Sequence, residues 1–187
     1  MQPVTVTSVR GEELAAYLPQ VARLRMQVFA QWPYLYEGSE AYEREYLAAY
    51  AQSPRSVFVL ACAGGEVVGA STGLPLLDDD ALFARPFVAA GIDPATVFYF
   101  GESVLLPAFR GQGIGHAFFQ AREAHARALG GFALTAFCAV DRAADDPRRP
   151  ATATTTCSGT SAATAGSRHC RRGCTGTRSA AGIASTP

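Results

Sequence analysis

The chain of 187 residues contains no lysine and no asparagine, and all sixteen of its basic residues are arginine. A Walker A loop needs a lysine on the phosphates, so P-loop ATPase and GTPase chemistry is excluded. No apolar run approaches the about 18 residues that a membrane-spanning helix requires. Residues 1–10 have neither the basic start nor the apolar core of a signal peptide, which gives the expectation of a soluble cytoplasmic protein. Charge of either sign is not in excess: sixteen acidic residues balance the sixteen arginines. No basic surface is therefore expected to track a phosphate backbone, and nucleic-acid binding is disfavoured. The arginine-only pattern is read as GC-rich coding.

Aromatic and large aliphatic residues are also missing from one end. No aromatic follows Phe137, and Ile183 is the only large aliphatic after residue 150. Of the 37 residues 151–187, 27 are Ala, Thr, Ser or Gly; four arginines and no acid give this stretch a charge of +4 against −4 for residues 1–150. Such a segment cannot bury enough apolar surface to offset its ordering entropy. The expected division is a folded domain over 1–145 and a low-complexity, disordered tail over 146–187, with the boundary in DDPRRP (145–150). Cys157, Cys170, Cys174 and His169 form no C-x-x-C pair, which disfavours zinc; five cysteines, an odd count, disfavour a disulfide framework. The tail composition matches a GC-rich gene read out of frame, which the coding DNA around residues 145–156 tests. Cys62 and Cys138 fall in apolar strand candidates and are expected to be small buried thiols.

The chain as a whole is 49% hydrophobic and 10% aromatic, enough for a core. Alternation predicts a strand over Val4–Val9. Leu14, Tyr17, Leu18, Val21, Leu24 and Val28 at helical spacing predict one helix over Gly11–Ala30. Ser39 is the expected N-cap of a helix over Glu40–Ala51. Ser56–Cys62 and Glu66–Leu74 read as strands joined by the Gly64-Gly65 turn. A short helix is expected near Asp80–Ala89, where Asp78-Asp79-Asp80 reads as a solvated loop and not a metal site. Ala95–Leu105 reads as a long central strand, Gln112–Leu129 as a helix and Phe132–Val140 as a strand. The order β-α-α-β-β-(α)-β-α-β predicts a mixed α/β sheet, antiparallel first and closed by a parallel β-α-β unit.

The segment most able to bind a ligand is Phe100-Gly101-Glu102-Ser103-Val104-Leu105-Leu106-Pro107-Ala108-Phe109-Arg110-Gly111-Gln112-Gly113-Ile114-Gly115-His116. A strand ends and a glycine-rich turn opens a helix, whose first N–H groups and positive dipole end attract phosphate. The spacing is wrong for the dinucleotide fingerprint, whose third glycine would stand where His116 is, so a nicotinamide enzyme is disfavoured. Arg110-x-x-Gly113-x-Gly115, preceded by Val104-Leu105-x-Pro107, resembles motif A of the GNAT acyltransferase superfamily, (Gln/Arg)-x-x-Gly-x-(Gly/Ala). The order of elements is similar over roughly residues 3–140.

That resemblance implies an N-acyltransferase that moves an acetyl or other acyl group from acetyl-CoA to a primary amine, on a small molecule or a protein, without a metal. It implies that the backbone N–H groups of Arg110, Gly111, Gln112, Gly113, Ile114 and Gly115 hold the CoA pyrophosphate. It also implies that Ser103, Val104 and Leu105 pair with the pantetheine arm where this strand splays from its parallel neighbour. Glu102 is the expected general base: alternation puts it on one apolar face with Phe98, Phe100 and Val104, where desolvation raises a carboxyl pKa. The alternative is a glutamate at a strand end or paired with an arginine. Phe29–Tyr46 is the expected acceptor side, with Tyr34, Tyr36 and Glu37 its best residues beside Trp32, Tyr42 and Glu43; Tyr42 and Tyr46, four apart, are expected only to pack a helix face. His116 and His125 are expected to be surface or packing residues. Family members usually continue into a helix with a tyrosine acid and a closing hairpin; no tyrosine follows Tyr99, so the general acid is unassigned and the strand over 132–140 is expected to be an uncovered sheet edge. A non-catalytic CoA-binding module is the alternative reading.

Overall fold

The computed structural model describes residues 2–140, 142–143, 145–150, 169–170 and 181–185. Its strands are β1 (Val4–Val9), β2 (Val57–Ala63), β3 (Glu66–Pro75), β4 (Val97–Leu105), β5 (Leu134–Cys138), β6 (His169–Cys170) and β7 (Ala181–Ser185). Its α-helices are α1 (Leu18–Phe29), α2 (Glu40–Gln52), α3 (Ala81–Ala89) and α4 (Ile114–Leu129). The sheet order is β1-β2-β3-β4-β5-β7-β6. β1 to β4 run antiparallel, β4 and β5 are parallel, and α4 crosses between them.

Both sheet faces are covered, which is why β2 reads VFVLACA without alternation. On one face Val21, Leu24 and Val28 of α1, Leu47 of α2 and Phe87 of α3 pack against Phe58, Leu60, Val97 and Tyr99. On the other, Ile114, Phe118 and Ala126 of α4 pack against Val57, Val59, Phe98 and Phe100. Ser39 caps α2 as expected, its Oγ accepting from the Tyr42 N–H at 3.3 Å. The single helix expected over Gly11–Ala30 is corrected: Gly11–Ala16 is a 3-10 turn, and α1 starts at Leu18 with Pro19 in its first turn. Proline lacks the N–H that would continue an α-helix through Tyr17.

Two irregularities shape the centre of the sheet. Ser71 pairs with Ser103 but Gly73 with Phe100, so Gly101 and Glu102 together stand opposite Thr72. This is a β-bulge: one extra residue in β4, after which its side chains swap faces. The β4–β5 ladder runs from Val97–Leu134 to Phe100–Phe137, and β5 ends at Cys138, so Gly101–Leu105 pair with none of the described residues on that side. The expectation of an uncovered edge at β5 is corrected, because Ala181–Ser185 pairs antiparallel along Leu134–Cys138. Of the tail expected to be disordered, residues 151–168, 171–180 and 186–187, including Cys157 and Cys174, lie outside the described residues.

Candidate active site

The glycine-rich turn forms an open cradle. Gly111 and Gly113 hold φ +76° and +79°, left-handed values that glycine adopts at little cost. A Cβ on Gly111, Gly113 or Gly115 would meet no heavy atom within 4 Å, so the start of α4 is not blocked by packed side chains. Gly113 is the N-cap and supplies no side-chain hydrogen bond, and the first turn carries no acid. The orphan N–H groups of this helix end thus face outward with the positive end of its dipole. Arg110 is exposed, and its Nε donates to the Leu105 carbonyl at 3.1 Å, which ties the cradle to the end of β4. Gln112 donates to the Ala108 carbonyl at 3.3 Å.

The free edge of β4 continues that surface. The Leu106 N–H donates to the Val68 carbonyl of β3 at 3.0 Å. Backbone groups of an antiparallel strand alternate between its two edges. Ser103 and Leu105 therefore aim their N–H groups away from β3, along the stretch of β4 beyond its ladder with β5, while Val104 bonds toward β3. A chain of polar groups laid along that edge finds two amides there.

The bulge decides where Glu102 goes. The sequence places Glu102 with Phe98 and Phe100; the structure corrects this, because the extra residue turns Glu102 and Val104 to the α1–α2 face while Phe98 and Phe100 face α4. There the Glu102 side chain, 7% exposed, pairs with Arg25 of α1, which also pairs with Glu43 of α2. Arg25 and Glu43 are 3% and 0% exposed. The guanidinium lies between the rings of Phe29 and Tyr46, 5.0 and 4.2 Å from their centroids, a cation–π arrangement. Glu43 Oε1 and Glu102 Oε1 are buried with no hydrogen-bond partner among the described residues. Arg25 was not singled out from the sequence. Its signal is a charged residue four after Val21 and four before Phe29, inside the apolar stripe of α1.

A second buried arginine holds the bulge from the α4 side. Arg122 is 1% exposed; its Nη1 lies 3.3 Å from the Thr72 carbonyl and 3.4 Å from that of Glu102, and its Nε donates to the Phe118 carbonyl. Its guanidinium covers the rings of Phe100 and Phe119 at 4.1 and 4.8 Å. Burial pushes its pKa down to about 9. Ser71 Oγ also donates to the Glu102 carbonyl at 2.9 Å, and the Glu102 N–H donates to Thr72 Oγ1 at 3.2 Å. Gly101 is required by close approach: a Cβ there would strike the Tyr50 hydroxyl and lie 2.7 Å from Thr72 Oγ1.

The expected acceptor loop divides. Tyr34 packs its ring 4.5 Å from that of Phe29, and Arg142 donates to the carbonyls of Pro33 and Tyr34 at 2.8 and 2.9 Å. Tyr36 and Glu43 both approach Gly38: a Cβ there would sit 2.7 Å from the Tyr36 ring and 3.0 Å from Glu43 Oε1. Glu37 is exposed. Tyr36, Tyr42, Tyr46 and Tyr50 follow one another with ring centroids 6.1, 6.4 and 5.1 Å apart, so Tyr42 and Tyr46 do pack a helix face, and Tyr46 also covers Arg25. Asp79 accepts from the Tyr50 hydroxyl at 3.0 Å, Asp78 from Ser53 Oγ at 2.6 Å, and Asp80 caps α3, so these acids serve structure. His125 packs 5.8 Å from Phe98 and bonds the Arg55 carbonyl. Cys62 and Cys138 are half-buried, less enclosed than expected. A shallow recess of about 460 Å³ beside Ser53, Arg55 and Asp78 shares no residue with the cradle or the charge cluster.

The mixed sheet, with helices on both faces and α4 crossing between parallel β4 and β5, matches the GNAT acyltransferase fold. The matching family description is Acetyltransferase (GNAT) family, over residues 23–147, and the chain belongs to this family. Among solved structures it is similar to an acetyltransferase from Thermus thermophilus, with TM-score 0.60, 15% identity and 100% of each chain covered. Aminoglycoside N-acetyltransferase AAC(6')-Iy in complex with CoA matches at TM-score 0.51 and 17% identity, over 70% of this chain and 73% of that one. The GphF GNAT-like decarboxylase in complex with isobutyryl-CoA matches at TM-score 0.51 and 17% identity, over 77% and 69%. No curated protein matches the chain.

Proposed function

We propose that the chain transfers an acetyl group from acetyl-CoA to a primary amine, and that its CoA-binding unit is residues 1–145. The observation that carries this is the open start of α4, with no atom within 4 Å of the positions a side chain on Gly111, Gly113 or Gly115 would take. In this reading the amides from Arg110 to Gly115 take the pyrophosphate and Arg110 adds charge beside it. The outward N–H groups of Ser103 and Leu105 take the pantetheine arm and the thioester carbonyl, where oxyanion charge develops during attack. Val104, whose amide faces β3, contributes only its buried side chain. Glu102 Oε1, unpartnered among the described residues, accepts the proton of the attacking amine while Oε2 stays on Arg25. Tyr36 and Glu37 line the acceptor approach, and Tyr34 supports the loop. The CoA complexes of AAC(6')-Iy and GphF support the choice of donor. The position of the family match, ending at 147, supports the domain boundary.

The experiment is thiol release from acetyl-CoA against a panel of amines: neamine, spermidine, lysine and a peptide with a free N-terminus. Turnover of at least one is expected, and Glu102→Gln is expected to lower it by about 10²–10⁴-fold with acetyl-CoA binding intact. Unchanged turnover in that variant removes Glu102 from the mechanism. A second reading, a CoA-binding module without catalysis, is favoured by one observation: the candidate base is held by Arg25, and no tyrosine follows Tyr99 to serve as an acid. Acetyl-CoA binding without turnover of any amine selects it.

A further inference from the structure

The cluster of Arg25, Glu43 and Glu102 sets two carboxylates against one guanidinium, a net charge of −1, with none of the three side chains more than 7% exposed. Burying charge is costly unless each ion is paired and its lone pairs are satisfied. Here Glu43 Oε1 and Glu102 Oε1 have no hydrogen-bond partner among the described residues. Arg25 meets Glu43 through Nε and Glu102 through Nη1, at the Oε2 atom of each, with its guanidinium against the rings of Phe29 and Tyr46, and Nη1 is itself without a well-formed hydrogen bond among the described residues. Arg122 does not supply the missing charge. It bonds the Glu102 carbonyl from the α4 side, and the carboxylate that acts on its ionisation is Glu123. Glu43 Oε1 faces the loop at Tyr36 and Gly38, on the expected acceptor side.

We propose that Glu43 and Glu102 form a cation subsite for a primary ammonium group, in which Arg25 is a positioning residue and Glu43 supplies the charge that Arg25 does not neutralise. The spare charge is the ligand's counterpart: an ammonium seated between the two free oxygens gives both a donor and brings the cluster to neutrality. Among the described residues no group of three or more His, Cys, Asp or Glu is arranged to hold a metal, so a monovalent hydrogen-bonding cation suits this pair better. The inference deepens the reading above and rests on it in taking the ammonium to be the acceptor's. It assigns Glu43 and Arg25 to acceptor selection. Family membership alone gives neither.

The test is thermal unfolding of the full chain and of Glu43→Gln and Glu102→Gln, in methylammonium chloride against an equal concentration of potassium chloride. Neutralising either carboxylate leaves one arginine against one glutamate. Both variants are therefore expected to melt about 2–4 °C above the unsubstituted chain in potassium chloride. Methylammonium is expected to raise the melting temperature of the unsubstituted chain and of neither variant. A purely structural ion network gives the opposite sign, since each substitution then removes a stabilising pair. A fall in either variant, no methylammonium shift in the unsubstituted chain, or a shift that persists in the variants overturns the proposal. Acetyl-CoA is added in a parallel arm: loss of its stabilising effect in all three chains counts against the acyltransferase reading, while the methylammonium arm still decides the subsite.

Discussion

Burial pushes the Tyr50 phenol well above its ordinary value, with Tyr46 and Asp79 adding to the effect, and burial does the same at Tyr99, with Cys138 adding. Both groups keep their protons in the fold at a pH where the unfolded chain begins to release them, near about 10. The unfolded state then binds fewer protons than the native state, so stability present below pH about 10 is lost as pH rises above it. Arg122 acts with the other sign. Its native value of about 9 lies below the ordinary one, so the native state releases its proton first and stability rises from pH about 9 upward. Two tyrosines outweigh one arginine, and each contributes at most about 1.4 kcal/mol per pH unit. Denaturant midpoints followed from neutral to alkaline pH are expected to fall above pH about 10. Tyr99→Phe is expected to flatten that fall; an unchanged slope in this variant contradicts the assignment.

At the scale of elements, much was legible and the misses have physical causes. The helical spacing of α4, the Ser39 cap and the Gly64-Gly65 turn each have local chemistry that agrees with the fold. The bulge does not. Alternation assumes one residue per step, and the inserted residue at Gly101–Glu102 leaves no mark in the pattern except a glycine in a strand. That one-step error put Glu102 on the wrong face; the alternative of a glutamate paired with an arginine holds, and the arginine is Arg25. The three charged residues come from three elements, Arg25 from α1, Glu43 from α2 and Glu102 from β4, so no local pattern could join them. The glycine at the bulge has a measurable role. Gly101→Ala sets a methyl against the Tyr50 hydroxyl and Thr72 Oγ1 and is expected to destabilise by about 1–3 kcal/mol, read in the denaturant midpoint. A neutral substitution would mean that the bulge relaxes freely.

For the whole molecule, two features of separate origin converge. The β4–β5 ladder ends at Phe100 and leaves backbone amides of β4 without a described partner, and the glycine-rich turn opens amides at the start of α4. Arg110 links the two through the Leu105 carbonyl. Either alone is common; here the two lie together at the end of β4. The buried charge cluster sits on the opposite side of β4 from α4. Arg122 holds the bulge from the α4 side. The pairing of Ala181–Ser185 along β5 closes what would otherwise be an exposed edge.

The central claim, that the helix-start amides hold the diphosphate of an acyl-CoA, is tested most directly by calorimetric titration of acetyl-CoA into the unsubstituted chain and into Gly113→Val. A β-branched residue at φ +79° both strains the turn and places carbon where phosphate oxygens would sit. Saturable binding to the unsubstituted chain, weakened at least about tenfold, or about 1.4 kcal/mol, in Gly113→Val while Glu102→Gln binds normally, is the expected result. Equal affinity in Gly113→Val and the unsubstituted chain, or no binding to either, contradicts it.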